Sequence, residues 1–217
     1  MNRIFSSNNK WALLKATQAC VLGASLMCSQ VFAHSISDLL EQLQAPGSEV
    51  RLNALESKEM HGCFFSDDDY ECSWTREEYD RVLGVVIRLA SDRHPRIRES
   101  VARYMSISTD ARTLAPLAHM LMDPDARVRR VAVGVFITTG VNDPVNVPAH
   151  VRKKIIRQLE NLLEDTDPAI RGYAASALVQ NGTPQSLQKL KKAHRLEADQ
   201  ETRALMADVI QQLEKTK

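Results

Sequence analysis

The sequence is poor in aromatic residues and in the patterns that mark common catalytic sites. Only 5% of its 217 residues are Phe, Trp or Tyr, which favours helices packed through Ala, Leu and Val over a β-sandwich. It contains no Gly-rich phosphate loop, no nucleophile elbow and no spaced Ser, His and Asp set. The formal net charge of +1 gives no overall attraction to nucleic acid or to an anionic membrane.

The N-terminal residues have the pattern of a secretory signal peptide. Arg3, Lys10 and Lys15 form a basic region without an acidic residue, and residues 16–33 carry no charge. The small residues at the end of this run fit cleavage before His34. We therefore expect an exported protein, periplasmic in a Gram-negative bacterium or secreted.

Two alternatives for this segment are weaker. The apolar run is short and interrupted by polar residues, which disfavours an uncleaved membrane anchor. Met27 stands before Cys28 where a lipoprotein needs a small residue. Removal of residues 1–33 takes away three basic residues, which changes the formal charge from +1 to −2. We expect residues 34–217 to form one soluble domain that does not span a membrane.

Cysteine usage predicts a disulfide in the mature chain. Of the four cysteines, Cys20 and Cys28 lie in the signal segment, whereas Cys63 and Cys72 remain. An even pair in an exported protein indicates a disulfide. A bridge across this short loop would stabilise the fold by roughly 2–3 kcal/mol.

The loop that contains these cysteines, residues 57–74, is our candidate partner-binding element. It concentrates aromatic and acidic residues in a chain with few aromatics, and aromatic residues are enriched at binding hot spots. The equally weighted alternative is that its aromatics close one end of the domain as a small satellite core. The candidate residues are Phe64, Phe65, Asp67, Asp68, Asp69, Tyr70 and Trp74.

Metal binding by this region is the weaker interpretation. Zinc sites prefer closer paired ligands than this loop offers, and the acidic run lacks the alternating acids and the glycine of an EF-hand. We therefore predict no metal and no other cofactor. The residues weighed were His61 with the two loop cysteines for zinc, residues 67–69 with Glu71 for calcium, and His34 for copper.

Self-similarity is the strongest signal in the chain. Residues 123–133 join an acidic turn with Pro124 to Val128-Arg129 and then to a small apolar helix face. Similar units recur, and repetition at this length predicts a solenoid. We expect about five helical pairs, interrupted by the insertion at 57–74 and a second one at 140–148. The arginines of the repeated unit are Arg51, Arg98, Arg129, Arg171 and Arg203.

Helix signals support this division. Ser37 is the expected N-cap of the first helix, and Thr75 with Glu78 forms a capping box. Asp167-Pro168 has the pattern of an N-cap acid followed by Pro at the first helical position. The fold class predicted is therefore an all-α superhelix, an α-solenoid.

The unit resembles the HEAT repeat in its short bacterial, phycobilisome-lyase-like form. Residues 123–129 and 165–171 carry the likeness best, and it extends over about residues 37–214. The resemblance concerns the fold, so it says little about function. It implies that the repeated arginine is structural, as it is in HEAT repeats.

The repeated arginine has an acidic counterpart. Asp92, Asp123 and Asp165 each lie six residues before a repeat arginine, which lets the guanidinium reach its own turn or that of a neighbouring repeat. We predict an internal Arg–Asp ladder that fixes the stacking of repeats. The alternative is a row of ligand-binding arginines.

We predict that the protein is a non-catalytic scaffold that binds a protein or peptide in the cell envelope, because stacked repeats present an extended surface. None of the six histidines is followed by Glu, which disfavours an iron-binding HEAT hydroxylase. Export and an acidic mature chain argue against nucleic acid. The first alternative is an enzyme or lyase-like chaperone acting on a small ligand, which a pocket lined with His119, His150 or carboxylates of strongly perturbed pKa would favour. The second is a structural subunit of an envelope complex.

Overall fold

The computed structural model describes residues 36–57, 60, 74–108, 110–138 and 147–215. Within these ranges the chain is helical apart from its connections and contains no strand, which confirms the all-α prediction. The predicted signal segment and most of the two predicted insertions lie outside the described residues.

The described residues form ten helices, which fall into five antiparallel pairs. Residues 36–43 form α1. The helices that follow are α2 (Ser48–Leu55), α3 (Arg76–Leu89), α4 (Pro95–Ile107), α5 (Leu114–Met120, after a 3-10 turn at Ala111–Thr113), α6 (Ala126–Thr138), α7 (Ala149–Leu162), α8 (Pro168–Asn181), α9 (Pro184–Leu196) and α10 (Gln200–Lys215).

Side-chain caps set several helix starts. Thr75 Oγ1 accepts from the Glu78 N–H at 3.2 Å, and the Glu78 carboxylate accepts from the Thr75 N–H at 2.7 Å, so the predicted capping box is confirmed. Asp167 caps α8 through the Ala169 N–H at 2.9 Å. The prediction for Ser37 is wrong, because Ile36 is already helical and buried in the core.

The pairs stack in sequence, and the second helix of each pair (α2, α4, α6, α8 and α10) packs against the second helix of the next. The first helices (α1, α3, α5, α7 and α9) approach one another less closely. The second helices therefore form the more closely packed layer of the stack, which we call the inner side, and the first helices form the outer side. This arrangement is an α-solenoid, as predicted. None of the described helices is both long and apolar enough to cross a membrane.

One core runs through the stack. The residue before the repeat arginine is fully or almost fully buried in three repeats, at Ile97, Val128 and Ile170. Helical spacing in the sequence predicts Val50 to face inward with Ala54 and Leu55. Val50 occupies this position in α2 but is 44% exposed, so that prediction is wrong. The short helix α2 instead turns its Leu52 and Leu55 side chains into the core.

Candidate functional site

A row of arginine–carboxylate contacts crosses the junctions between successive repeats, and we call it the arginine ladder. Each rung joins an arginine near the start of one second helix to a carboxylate in the turn before the next second helix. The four rungs are Arg51–Asp92, Arg98–Asp123, Arg129–Asp165 and Arg171–Glu197.

The middle rungs share one geometry. Arg129 donates from Nε and Nη2 to the two Asp165 oxygens at 2.7 and 3.0 Å, and from Nη1 to the Asp123 carbonyl at 2.8 Å. Arg98 does the same with the Asp123 carboxylate, at 2.7 and 2.8 Å, and with the Asp92 carbonyl at 2.7 Å. Each aspartate thus accepts from the arginine of the preceding repeat through its side chain and from its own repeat's arginine through its backbone.

The last rung ends on Glu197, a residue outside the predicted Arg–Asp ladder. Arg171 donates to the two Glu197 oxygens at 2.6 and 2.5 Å. Glu197 lies six residues before Arg203, the spacing that identified the aspartates, so a search for either acid at that distance finds it.

The first rung is looser. Arg51 reaches Asp92 only through Nη2, at 2.9 Å, and its Nη1 donates to the Ala45 carbonyl at 2.6 Å. The Arg51 Nε is buried and has no hydrogen-bond partner. Ala45 stands where the later repeats have an acid, and like those residues it accepts from its own repeat's arginine through its carbonyl.

Burial and charge make the ladder electrostatically strong. The side chains of Arg129 and Asp165 are only 14% and 5% exposed. Burial alone would raise the pKa of Asp165, but hydrogen bonds from Arg129 and from the Asp167 N–H lower it below its ordinary value. The Arg171 guanidinium likewise lowers the pKa of Glu197. Carboxylates held ionised in this way are poorly suited to transfer protons at neutral pH.

The fifth arginine of the repeat has no rung. The Arg203 side chain is exposed and makes no hydrogen bond or ion pair with the residues that the structure describes. Its backbone N–H joins the helix through the Asp199 carbonyl at 3.0 Å.

A second candidate region is the side of the second helices turned away from the first helices, which we call the inner face. Helical periodicity places the positions one and five residues after the repeat arginines of α4, α6, α8 and α10 on this side. Both positions are charged in α4, one is charged and one is glycine in α6, and in α8 and α10 they are small or acidic. The inner face consists of Glu99, Arg103, Arg130, Gly134, Gly172, Ser176, Ala204 and Asp208.

Charges on the inner face are partly compensated. Arg103 contacts Glu99 at 2.7 Å, and Arg130 reaches Asp167 in the next repeat at 2.6 Å. These arginine side chains remain 62% and 51% exposed, so each guanidinium still presents a surface to a partner.

The two inner-face glycines have different surroundings. A Cβ at Gly172 would lie 3.1 Å from Leu205 Cδ2, whereas a Cβ at Gly134 would meet no atom within 4 Å. Glycine in a helix interior destabilises by about 1 kcal/mol relative to Ala. Packing accounts for Gly172, but nothing in the described fold requires Gly134, which leaves an open stretch of backbone on the inner face.

The predicted partner-binding loop is mostly outside the described residues. Phe64, Phe65, Tyr70, the acidic run 67–69 and both loop cysteines belong to that part. Trp74 is described, and it is half-buried and packs against the core.

Two features weighed for an enzyme, pocket histidines and a metal cluster, fall within the described part of the chain. His119 and His150 are both exposed. No group of three His, Cys, Asp or Glu side chains among the described residues is placed to hold a metal ion. The candidate metal ligands His34, His61 and Glu71 lie outside those residues.

Comparison with protein families agrees with this architecture. A family model described as HEAT repeats matches residues 72–136 and 148–211, more than half of the chain. Among curated proteins, none matches.

Several solved structures share the fold at low sequence identity. A designed armadillo repeat protein in complex with the peptide (KR)4 is 16% identical, with 95% of each chain covered and a TM-score of 0.52. The complex of CpcE and CpcF of phycocyanin lyase from Nostoc sp. PCC7120 is 17% identical, with 82% of this chain and 98% of the other covered and a TM-score of 0.55. A computationally designed armadillo repeat protein for modular peptide recognition is 15% identical, with 84% and 83% covered and a TM-score of 0.54.

Proposed function

We propose that this chain, which belongs to the HEAT-repeat family, is a binding scaffold whose inner face takes up an extended segment of a protein or peptide. The observation that carries this proposal is the open backbone at Gly134, in the middle of the second-helix layer. Peptide recognition by a designed protein of similar fold supports it.

The inner face supplies contacts of the kinds that peptide binding needs. Gly134 lets a partner backbone approach α6 closely, and Arg130 beside it offers guanidinium donors to a carbonyl or carboxylate. Tyr173 and Leu205, on the following second helices, are 39% and 38% exposed, and they add apolar area. These groups lie on three successive second helices, α6, α8 and α10, so an extended segment running across the repeats would contact all of them.

The location we propose is the cell envelope. The signal pattern of residues 1–33 and the Cys63–Cys72 pair support export into an oxidising compartment. The loop at 57–74 then supplies a second, independent contact through its aromatic side chains.

A lyase-like role on a small ligand or cofactor is the second candidate. The likeness to the phycocyanin lyase complex favours it. The exposed positions of His119 and His150 disfavour it, because neither lines an enclosed site.

The inner-face proposal is tested with a matched pair of glycine variants. Peptides that bind the purified protein would first be selected from a random library. Their affinity for the unmodified protein, for Gly134→Trp and for Gly84→Trp would then be measured by fluorescence anisotropy. Gly84 lies in the outer helix α3, where a Cβ would meet only the Arg88 guanidinium, at 3.9 Å, so both substitutions point towards open space.

We expect Gly134→Trp to weaken binding at least about tenfold, in the range of a hot-spot change, and Gly84→Trp to leave it unchanged. Equal affinity of the two variants would contradict the inner-face proposal. Affinity capture from the envelope fraction with Cys63→Ser/Cys72→Ser tests the loop separately, since unchanged capture would exclude it as a contact.

A further inference from the structure

The outer helices α7 and α9 carry a strongly basic surface. Each contains four Lys or Arg residues, and together they contain one acidic residue, Glu160. The two helices are first helices of successive repeats and lie side by side. We call their exposed side the basic outer face.

The acidic groups near this face are already engaged. Glu160 is buried and accepts from Lys189 at 2.7 Å and from the Ser186 hydroxyl at 2.6 Å. Lys191 and Lys192 have their own partners, on Glu214 and Glu164.

Five cations of the face remain without an ion pair to any described residue. Lys153, Lys154, Arg157 and Arg195 are exposed, and Arg152 is half-exposed. A chain with almost no net charge thus concentrates uncompensated positive charge on one outer surface.

This concentration is not a general property of the outer helices. The equivalent helix α3 contains three arginines and three acidic residues. Its Asp80 accepts from Arg76 and from Arg112, at 3.4 and 2.6 Å. The same layer of the fold therefore has a charge-balanced surface at one end and a basic surface at the other.

We propose that the basic outer face binds the surface of an anionic lipid bilayer. Lys and Arg side chains on neighbouring helices can contact a lipid plane together, and each contributes to attraction by anionic headgroups. Leu196, at the end of α9, is 74% exposed, and an exposed apolar side chain beside cations suits the boundary between headgroups and acyl chains.

This inference is independent of the peptide-binding proposal, because it concerns the opposite side of the stack. Its test is co-sedimentation of the purified protein with vesicles of pure phosphatidylcholine and with vesicles that also contain phosphatidylglycerol. We expect binding only to the anionic vesicles. We also expect release in about 0.5 M salt, because at that ionic strength charges are screened over a shorter distance than in physiological salt.

Two triple variants decide which surface binds. Lys153→Gln/Lys154→Gln/Arg157→Gln removes three unpaired cations from α7 and should weaken vesicle binding on the order of a hundredfold. The control, Arg76→Gln/Arg81→Gln/Arg88→Gln, makes the same change of net charge on α3 and should bind like the unmodified protein. Circular dichroism of both variants checks that they are folded.

Three results would overturn the inference: no binding to anionic vesicles, equal loss in the two triple variants, or tighter binding to a duplex oligonucleotide or polyglutamate than to the vesicles. The variant Leu196→Gln tests the apolar contribution to vesicle binding separately from charge. We expect it to weaken binding several-fold at constant net charge.

Discussion

Arg129 and Arg203 occupy the same position in their repeats but have opposite surroundings. Arg129 is 14% exposed and donates to both oxygens of Asp165 and to the Asp123 carbonyl. Arg203 is exposed, and its side chain makes no hydrogen bond or ion pair with the described residues. One lies between two repeats, and the other lies in the last described second helix.

The difference shows that each repeat fixes the position of its arginine in the helix. Whether that arginine joins two repeats depends on a carboxylate in the following repeat. A guanidinium with a buried carboxylate beyond it joins two repeats. The same side chain without that carboxylate is a solvated surface group.

Removing the central rung should have the largest effect. Arg129→Met leaves the Asp165 carboxylate buried without its main partner, which should lower the free energy of unfolding by about 3 kcal/mol. This value is at the lower end of the range for a broken buried ion pair, because the pair is partly exposed. Urea unfolding followed by circular dichroism measures the change. A loss below about 0.5 kcal/mol, the range of an ordinary surface substitution, would mean that the rung does not join the repeats.

Acid should weaken the rungs less than deletion does, because a protonated carboxyl keeps part of its hydrogen bonding. The folded pKa of Asp165 and of Glu197 lies below the ordinary values of 3.8 and 4.5. Their stabilisation is therefore present above those ordinary values and is lost as pH falls through the lower folded pKa. We expect the unfolding free energy to fall as the pH drops below about 4.5. Arg129→Met should show a smaller decline, and an identical pH profile would contradict the assignment.

Gly134 lies five residues after Arg129 in the same helix, on the open side. Gly134→Ala should stabilise the fold by about 0.5–1 kcal/mol, because it removes backbone freedom from the unfolded chain and meets no neighbour. Gly182→Ala is the matched opposite, since its Cβ would lie 2.4 Å from the Leu178 carbonyl oxygen. Thermal unfolding of the pair should give shifts of opposite sign, and a destabilised Gly134→Ala would show that this position is packed.

Arg203→Met should have the smallest effect, within about 0.5 kcal/mol, as for an exposed side chain without a partner. The measurement is the same urea unfolding as for Arg129→Met. A loss comparable to that of the central rung would show that Arg203 has a structural contact, and the contrast between the two arginines would fail.

Much of the fold was predictable because it depends on local signals. The capping box at Thr75, the Asp167-Pro168 start of α8 and the spacing of the repeat arginines are all visible over short stretches of sequence. The burial of Val50 was mispredicted because it depends on how a short helix is turned against its neighbours, which periodicity alone does not specify.

The inner-face position of Gly134 and the basic outer face were harder to find. Both depend on which helices become neighbours and which acidic residues are already paired. Glu160 shows why: in the sequence it offsets the cations of α7, but in the fold it is buried against Lys189 and Ser186. Net charge counted along a helix therefore misses the surface that the stack creates.

A double-mutant cycle on Arg129 and Asp165 tests the central claim, that the repeated arginine joins repeats. Unfolding free energies would be measured for Arg129→Met, Asp165→Asn and the double variant. We predict a coupling energy of about 2 kcal/mol, within the range for groups in one hydrogen-bond network. A coupling energy near zero, with additive effects of the single substitutions, would contradict the ladder. The repeat arginines would then again be candidate ligand contacts.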